Sequence, residues 1–170
     1  PPVLTGAVLS PDGTLLATAG DDHLIRLWQV TSGELSATLR GHTDWVRRAV
    51  FRPDGKQLVS GGDDRVIRVW DLATGQIVRE LPALPEHVFN LVLAADGKTL
   101  AVSSFDDRLR VFDIDTGALV RELACPSIDN HALAVSRDGR LVAAAGRSGV
   151  IRLWTLADGA VVRDITAHRL

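Results

Sequence analysis

The 170-residue chain has no methionine, a single cysteine and only 5% aromatic residues. The lone Cys125 cannot form an internal disulfide, which excludes the small secreted scaffolds held by such bridges. Charge of one sign is also lacking: 19 Lys and Arg face 21 Asp and Glu, for a formal net charge of −2. With no basic excess to set against phosphates, nucleic acid is not an expected partner. No apolar run approaches the roughly 20 residues that a spanning helix needs, so no membrane-embedded segment is expected. A chain without methionine that opens Pro1-Pro2 reads as processed, or as a piece of something longer whose upstream signals lie outside this sequence. The compartment expected by default is the cytoplasm.

What is present is a repeat. Asp-Gly recurs at Asp12-Gly13, Asp54-Gly55, Asp96-Gly97 and Asp138-Gly139, always 42 residues apart. Arg26, Arg68, Arg110 and Arg152 keep that step, as do Gly33, Gly75, Gly117 and Gly159. Trp28, Trp70 and Trp154 keep it too, with Phe112 in the third slot. Four copies in register, without an insertion or deletion, define the organisation of the whole chain.

Each copy carries strand and turn signals. In the second, Trp45 to Phe51 is followed by Arg52-Pro53-Asp54-Gly55, where Pro presets φ and Asp-Gly suits a tight turn. Lys56 to Gly62, Val66 to Leu72 and Ile77 to Leu81 complete four strands. No segment shows sustained helical periodicity. A four-stranded meander that is apolar on both faces must stack on its neighbours. Radial stacking of such sheets makes a β-propeller. The fold class is therefore all-β, with four blades spanning approximately 3–40, 45–82, 87–124 and 129–166.

The second copy contains Gly41-His42, Ser60, Asp64 and Trp70-Asp71. These resemble the glycine-histidine and tryptophan-aspartate signatures of the WD-repeat family, across the whole chain. The resemblance implies a structural hydrogen-bond network of His42, Ser60, Asp64 and Trp70. In the first copy Thr18, Asp22 and Trp28 match, without a histidine. The third keeps only Asp106, with Leu84, Val102 and Phe112 in the other slots. The fourth keeps Trp154, with Pro126, Ala144 and Ser148 elsewhere. Copies three and four are therefore expected to lean on apolar packing and to be softer.

The resemblance also implies a non-catalytic scaffold that binds proteins or peptides on the propeller face, with no cofactor and no metal. The alternative is a propeller enzyme with a metal or quinone in the central channel. It would need carboxylates or histidines on the innermost strands, and those strands (Val3 to Leu9, Val46 to Phe51, Val88 to Leu93, Ala132 to Val135) carry almost no carboxylates. His42, Ser60 and Asp64 have the residue types of a hydrolase triad, but a triad is defined by geometry. The pairs Asp21-Asp22, Asp63-Asp64 and Asp106-Asp107 sit in turns too short to supply six to eight calcium ligands. His23, His87, His131 and His168 have no metal-ligand spacing.

Trp45 breaks the repeat: its equivalents are Val3, His87 and Asp129. It falls where one blade passes into the next, on the face where WD-repeat proteins usually receive partners. Candidate partner-binding residues there are Trp45, Arg47, Arg48, His87, Phe89, Asn130 and His131, of types that anchor interfaces. The four arginines before the tryptophan position are expected to serve the scaffold, as caps or ion pairs. Finally, four blades leave two outer faces bare, so the chain is expected to belong to a larger ring or to close an eight-bladed homodimer. His168 lies three repeats after His42. It is placed to complete the network of Trp28 in a neighbouring copy.

Overall fold

The structure, a computed structural model, describes residues 2–126 and 132–168. Among these the fold is all-β, with no helix, and so none long and apolar enough to cross a membrane. Four antiparallel four-stranded sheets follow one another along the chain. The first holds β1 (Leu4–Leu9), β2 (Leu15–Gly20), β3 (Leu24–Gln29) and β4 (Leu35–Arg40). The second holds β5 (Val46–Phe51), β6 (Gln57–Gly62), β7 (Arg68–Asp71) and β8 (Ile77–Glu80). The third holds β9 (Val88–Leu93), β10 (Thr99–Ser104), β11 (Arg108–Asp113) and β12 (Ala118–Ala124). The fourth holds β13 (Ala132–Val135), β14 (Leu141–Ala145), β15 (Val150–Thr155) and β16 (Val161–Thr166). Strand order within each sheet follows the sequence, so each sheet is a self-contained propeller blade.

The turns form for reasons visible in the residues. After β1, Asp12 Oδ1 accepts hydrogen bonds from Thr14 N (3.0 Å) and Ser10 Oγ (2.6 Å). Gly13 takes φ +72°, a left-handed conformation that costs glycine nothing. A register shift recurs between the third and fourth strands of every blade, at Leu27/Trp28, Val69/Trp70, Val111/Phe112 and Leu153/Trp154. Such a bulge re-aims the side chain beside it, and here it falls at the aromatic position each time.

The chain divides into two compact units, Pro1–Val88 and Phe89–Leu170. In the first, Ala17, Ala19, Ile25, Leu27 and Leu39 of blade one pack on Val46, Phe51, Leu58 and Trp70 of blade two. In the second, Ala101, Leu109, Val111 and Leu123 of blade three pack on Val142, Ala144 and Trp154 of blade four. The second cluster repeats the first two repeats further on: Ala17 becomes Ala101, Ile25 becomes Leu109, and Trp70 becomes Trp154. One blade-on-blade interface has thus been written twice.

A second bulge, between Val46 and Arg48 on β5, depends on a glycine. Asp63 N donates to Trp45 O at 2.8 Å, and a Cβ at Gly62 would overlap that carbonyl. The colliding atom is backbone and cannot swing away. Gly62→Ala is therefore expected to lower stability by roughly 1–3 kcal/mol, as an overpacked core position does. Chemical denaturation measures this loss.

Candidate functional site

The second blade carries a complete polar network. Trp70 Nε1 donates to Ser60 Oγ at 2.7 Å, and Ser60 Oγ lies 2.7 Å from His42 Nε2. His42 Nδ1 lies 2.9 Å from Asp64 Oδ2. Ser60 already accepts the indole proton, so its hydroxyl donates to Nε2 and the imidazole proton sits on Nδ1, toward Asp64. Asp64 Oδ2 also accepts from Thr43 N at 3.2 Å and from Arg68 Nη1. Arg68 Nε reaches Glu80 at 2.7 Å. Burial works to raise the Asp64 pKa, but the hydrogen bonds from His42, then from Arg68, outweigh it and hold the carboxyl below its usual range.

The serine, histidine and aspartate are aligned in sequence as a hydrolase triad would be, yet the chemistry is different. Ser60 is 0% exposed and its oxygen is occupied by the Trp70 indole N–H. A nucleophile needs access to a substrate carbonyl and donors for the oxyanion, so the arrangement is a satisfied structural network. Burial, with Asp106 and Asp107 nearby, pushes the Cys125 thiol up to about 12, which disfavours the thiolate that a nucleophile needs.

The other blades vary this theme. In blade one Trp28 Nε1 donates to Thr18 Oγ1 at 2.8 Å, while Asp22 is joined to Arg26 at 2.7 Å rather than to that pair. In blade three Val102 and Phe112 are buried at the positions of Ser60 and Trp70, and Leu84, buried in the first unit, takes the sequence position of His42. Asp106 is not alone there, as the sequence had implied. Ser104 Oγ donates to Asp106 at 3.0 Å and accepts from Arg110 Nη1 at 2.8 Å. Ser104 stands where blade two has Gly62, off the family pattern, which is why sequence reasoning passed over it. In blade four Trp154 is buried beside Ala144. The repeated arginine forms an ion pair in every blade, adding Arg152–Asp164 at 2.6 Å to those above.

The acidic pairs are divided between two tasks. Asp22, Asp64 and Asp106 face the repeated arginines, whereas Asp63 holds Arg47 and Asp21 Oδ1 accepts from Val3 N at 2.8 Å.

The Trp45 corner is the most developed surface feature of the first unit. Trp45 is 39% exposed, and the Arg47 guanidinium lies 4.7 Å above its ring. Arg47 Nε and Nη2 donate to the two oxygens of Asp63 at 2.8 and 2.6 Å, a fork-to-fork pair. That pairing leaves the Nη1 edge of Arg47 without a partner among the described residues. His87 is exposed beside it, its Nδ1 bonded to Asp63 O at 2.6 Å. Arg48 turns away from this group: its Nη1 donates to Thr5 O at 2.9 Å and braces β5 against β1. Its place in the sequence could not reveal this, because the bulge beside it sets the direction of the side chain.

Phe89 belongs to the second unit, where it meets Phe105 edge-on at 4.9 Å and 71°. Phe105 is itself exposed and was not singled out by sequence. Asn130 and His131 lie outside the described residues. His168 is exposed at the end of blade four.

Repeated four-stranded blades, one of them carrying a tryptophan–serine–histidine–aspartate network, define a propeller of repeat type. The family model for the WD domain, G-beta repeat matches residues 2–29, 33–71, 75–113 and 121–155. The chain belongs to that family, which is generally non-enzymatic and serves protein interaction. It is similar to a probable serine/threonine-protein kinase, PkwA, of Thermomonospora curvata, with 58% identity over 38 residues, 22% of this chain and 5% of the kinase. It is 48% identical over 44 residues to an uncharacterised WD repeat-containing protein of a Nostoc species, covering 26% of this chain and 4% of that protein. It is 52% identical over 44 residues to the nuclear distribution protein PAC1 of Coccidioides posadasii, covering 25% of this chain and 9% of that protein. The chain thus aligns with less than a tenth of each of these relatives, over a single repeat's length.

Proposed function

We propose that the chain is a non-catalytic scaffold that captures a protein or peptide at the corner formed by Trp45, Arg47 and His87. The observation that carries this reading is the guanidinium of Arg47, held 4.7 Å above an exposed indole by Asp63. An exposed tryptophan with a pre-oriented arginine offers a partner large contact area at small entropic cost. The partner that suits it is an extended segment bearing an apolar side chain for the indole and a carboxylate for the free Nη1 edge of Arg47. Phe89 and Phe105 offer an aromatic surface on the second unit for the same kind of partner. Within this reading the four blades work as part of a larger ring or of an eight-bladed pair.

Displayed peptide libraries selected on the chain provide the test. Peptides enriched on the wild type are expected to bind Trp45→Ala at least about tenfold more weakly, the loss of a typical interface anchor. The half-exposed site should leave folding stability within about 1 kcal/mol of wild type. Peptides that bind both forms equally, or selections that enrich none, would count against the reading.

A further inference from the structure

From the two open blade faces and the half-built network of blade one, we infer that the outer face of blade four docks on the outer face of blade one in a second copy of this chain. His168 of one copy then completes the Thr18–Trp28–Asp22 network of the other. The inference rests on the scaffold reading only in taking the repeats as propeller blades.

The donor face is on blade four. Ala17, Ala19, Ile25, Leu27 and Leu39 form the surface by which blade one packs on blade two. Three repeats on, the same register positions hold Ala143, Ala145, Ile151, Leu153 and Ile165. None of these is buried, Ile165 is 42% exposed, and an apolar depression of about 260 Å³ opens beside Ala143 and Ile151. The acceptor face is on blade one. Val46, Phe51, Leu58 and Trp70 receive blade one in the first unit. One repeat earlier, their equivalents are Leu4, Leu9, Leu16 and Trp28, with Leu4 65% and Leu9 56% exposed. The open donor surface is therefore the same in kind as the one that, within each unit, already fits a surface of the open acceptor's kind.

The polar groups specify the register of this docking. His42, at the corner after β4, fits between Ser60 and Asp64. Blade one presents the same slot. Thr18 Oγ1 holds the Trp28 indole, as Ser60 holds Trp70, and Asp22 Oδ2 accepts from Arg26 as Asp64 does from Arg68. Among the described residues no imidazole bridges Thr18 to Asp22. His168 supplies the residue. Its backbone N bonds Gly149 O at 3.3 Å, the register equivalent of the bond from Leu84 N to Arg65 O at 2.9 Å. Leu84 occupies the histidine position for blade three, so blade four holds His168 where its side chain can serve a following blade. That side chain has no hydrogen-bond partner among the described residues.

Sedimentation equilibrium of the 170-residue chain, with circular dichroism as the check on folding, is the experiment. The expected mass is twice the 18.3 kDa of one chain. Ala143→Arg, on the open face of blade four, is expected to give a monomer with the wild-type spectrum. His168→Ala is expected to raise the dimer dissociation constant at least roughly thirtyfold, because a buried polar partner is orphaned at both docked faces of the pair. Thr18→Val removes the other end of the same bond, so the double variant H168A/T18V should be no weaker than the worse single. A monomer at every concentration overturns the inference and assigns these faces to further blades of a longer chain. A dimer indifferent to Ala143→Arg, or additive effects at positions 18 and 168, overturns it as well. Peptide capture at Trp45 is a separate readout, so either proposal can fail alone.

Discussion

Trp70→Ala is expected to cost about 3–5 kcal/mol, the range for emptying a buried aromatic position. Trp70 is 1% exposed and stands in the cluster that joins blade one to blade two, against Leu39, Phe51 and Leu58. Truncation opens a cavity between sheets that cannot collapse without moving a blade, and it orphans Ser60 Oγ. Against the 5–15 kcal/mol of a typical domain, the loss leaves the first unit close to unfolding at room temperature. Trp28→Ala removes the same side chain from a partly exposed face, and should cost clearly less. Urea midpoints of the two variants give the comparison, and equal losses would mean that the stacked interface is not what Trp70 stabilises.

The chain itself suggests how the loss can be repaired. Blade three has Leu84, Val102 and Phe112 where blade two has His42, Ser60 and Trp70, and all three are buried. Trp70→Phe alone leaves a buried hydroxyl short of a donor, at a cost of roughly 1–3 kcal/mol. The triple variant H42L/S60V/W70F copies the apolar set and removes both ends of the Trp70–Ser60 and Ser60–His42 bonds, while Asp64 keeps Thr43 and Arg68 as its donors. It is expected to be more stable than Trp70→Phe, because removing both ends of a buried hydrogen bond costs less than removing one. A triple variant weaker than the single would show that the network does more than satisfy itself.

Much of this is legible in the sequence. The 42-residue step fixes the number of blades, Asp-Gly marks the turns, and the tryptophan slot marks the third strand. Those features are local or periodic, and periodicity survives without knowledge of tertiary contacts. The network of His42, Ser60, Asp64 and Trp70 could be placed because it follows a family spacing. What could not be read depends on side-chain direction. Arg47 and Arg48 are adjacent basic residues, yet one stacks on Trp45 and the other braces Thr5. The difference comes from a bulge that Gly62 permits, and no residue pattern announces it. Ser104 was missed for a related reason: it acts in a position that the other three blades fill with Gly20, Gly62 and Gly146, so only the distances to Asp106 and Arg110 reveal its role.

Acid should act on the first unit through Asp64, the second large expected effect. Its side chain is 2% exposed and accepts from His42, Thr43 and Arg68. Because its pKa is lowered on folding, the native state binds fewer protons than the unfolded chain over that interval. The stabilisation is fully present above the ordinary carboxylate value near 4, and is lost as pH falls from there toward the lower folded value. Asp64→Asn removes the charge at all pH values and leaves Arg68, 7% exposed, with only the half-exposed Glu80. At neutral pH that variant is expected to lose about 3–5 kcal/mol, as when one partner of a buried ion pair is deleted. Asp22→Asn, at an ion pair with both partners about a quarter exposed, should lose no more than about 1 kcal/mol. The decisive quantity is the gap between wild type and Asp64→Asn in urea midpoint, followed from neutral pH downward. Exposed carboxylates such as Asp12 and Asp113, also lowered by hydrogen bonds from Ser10 and Thr116, titrate in both proteins and cancel in the difference. The gap should be constant to about pH 4 and then narrow. A gap that holds steady into strong acid would mean that the lost amide geometry, not the buried charge, accounts for the loss, and that Arg68 draws its compensation from Glu80 alone.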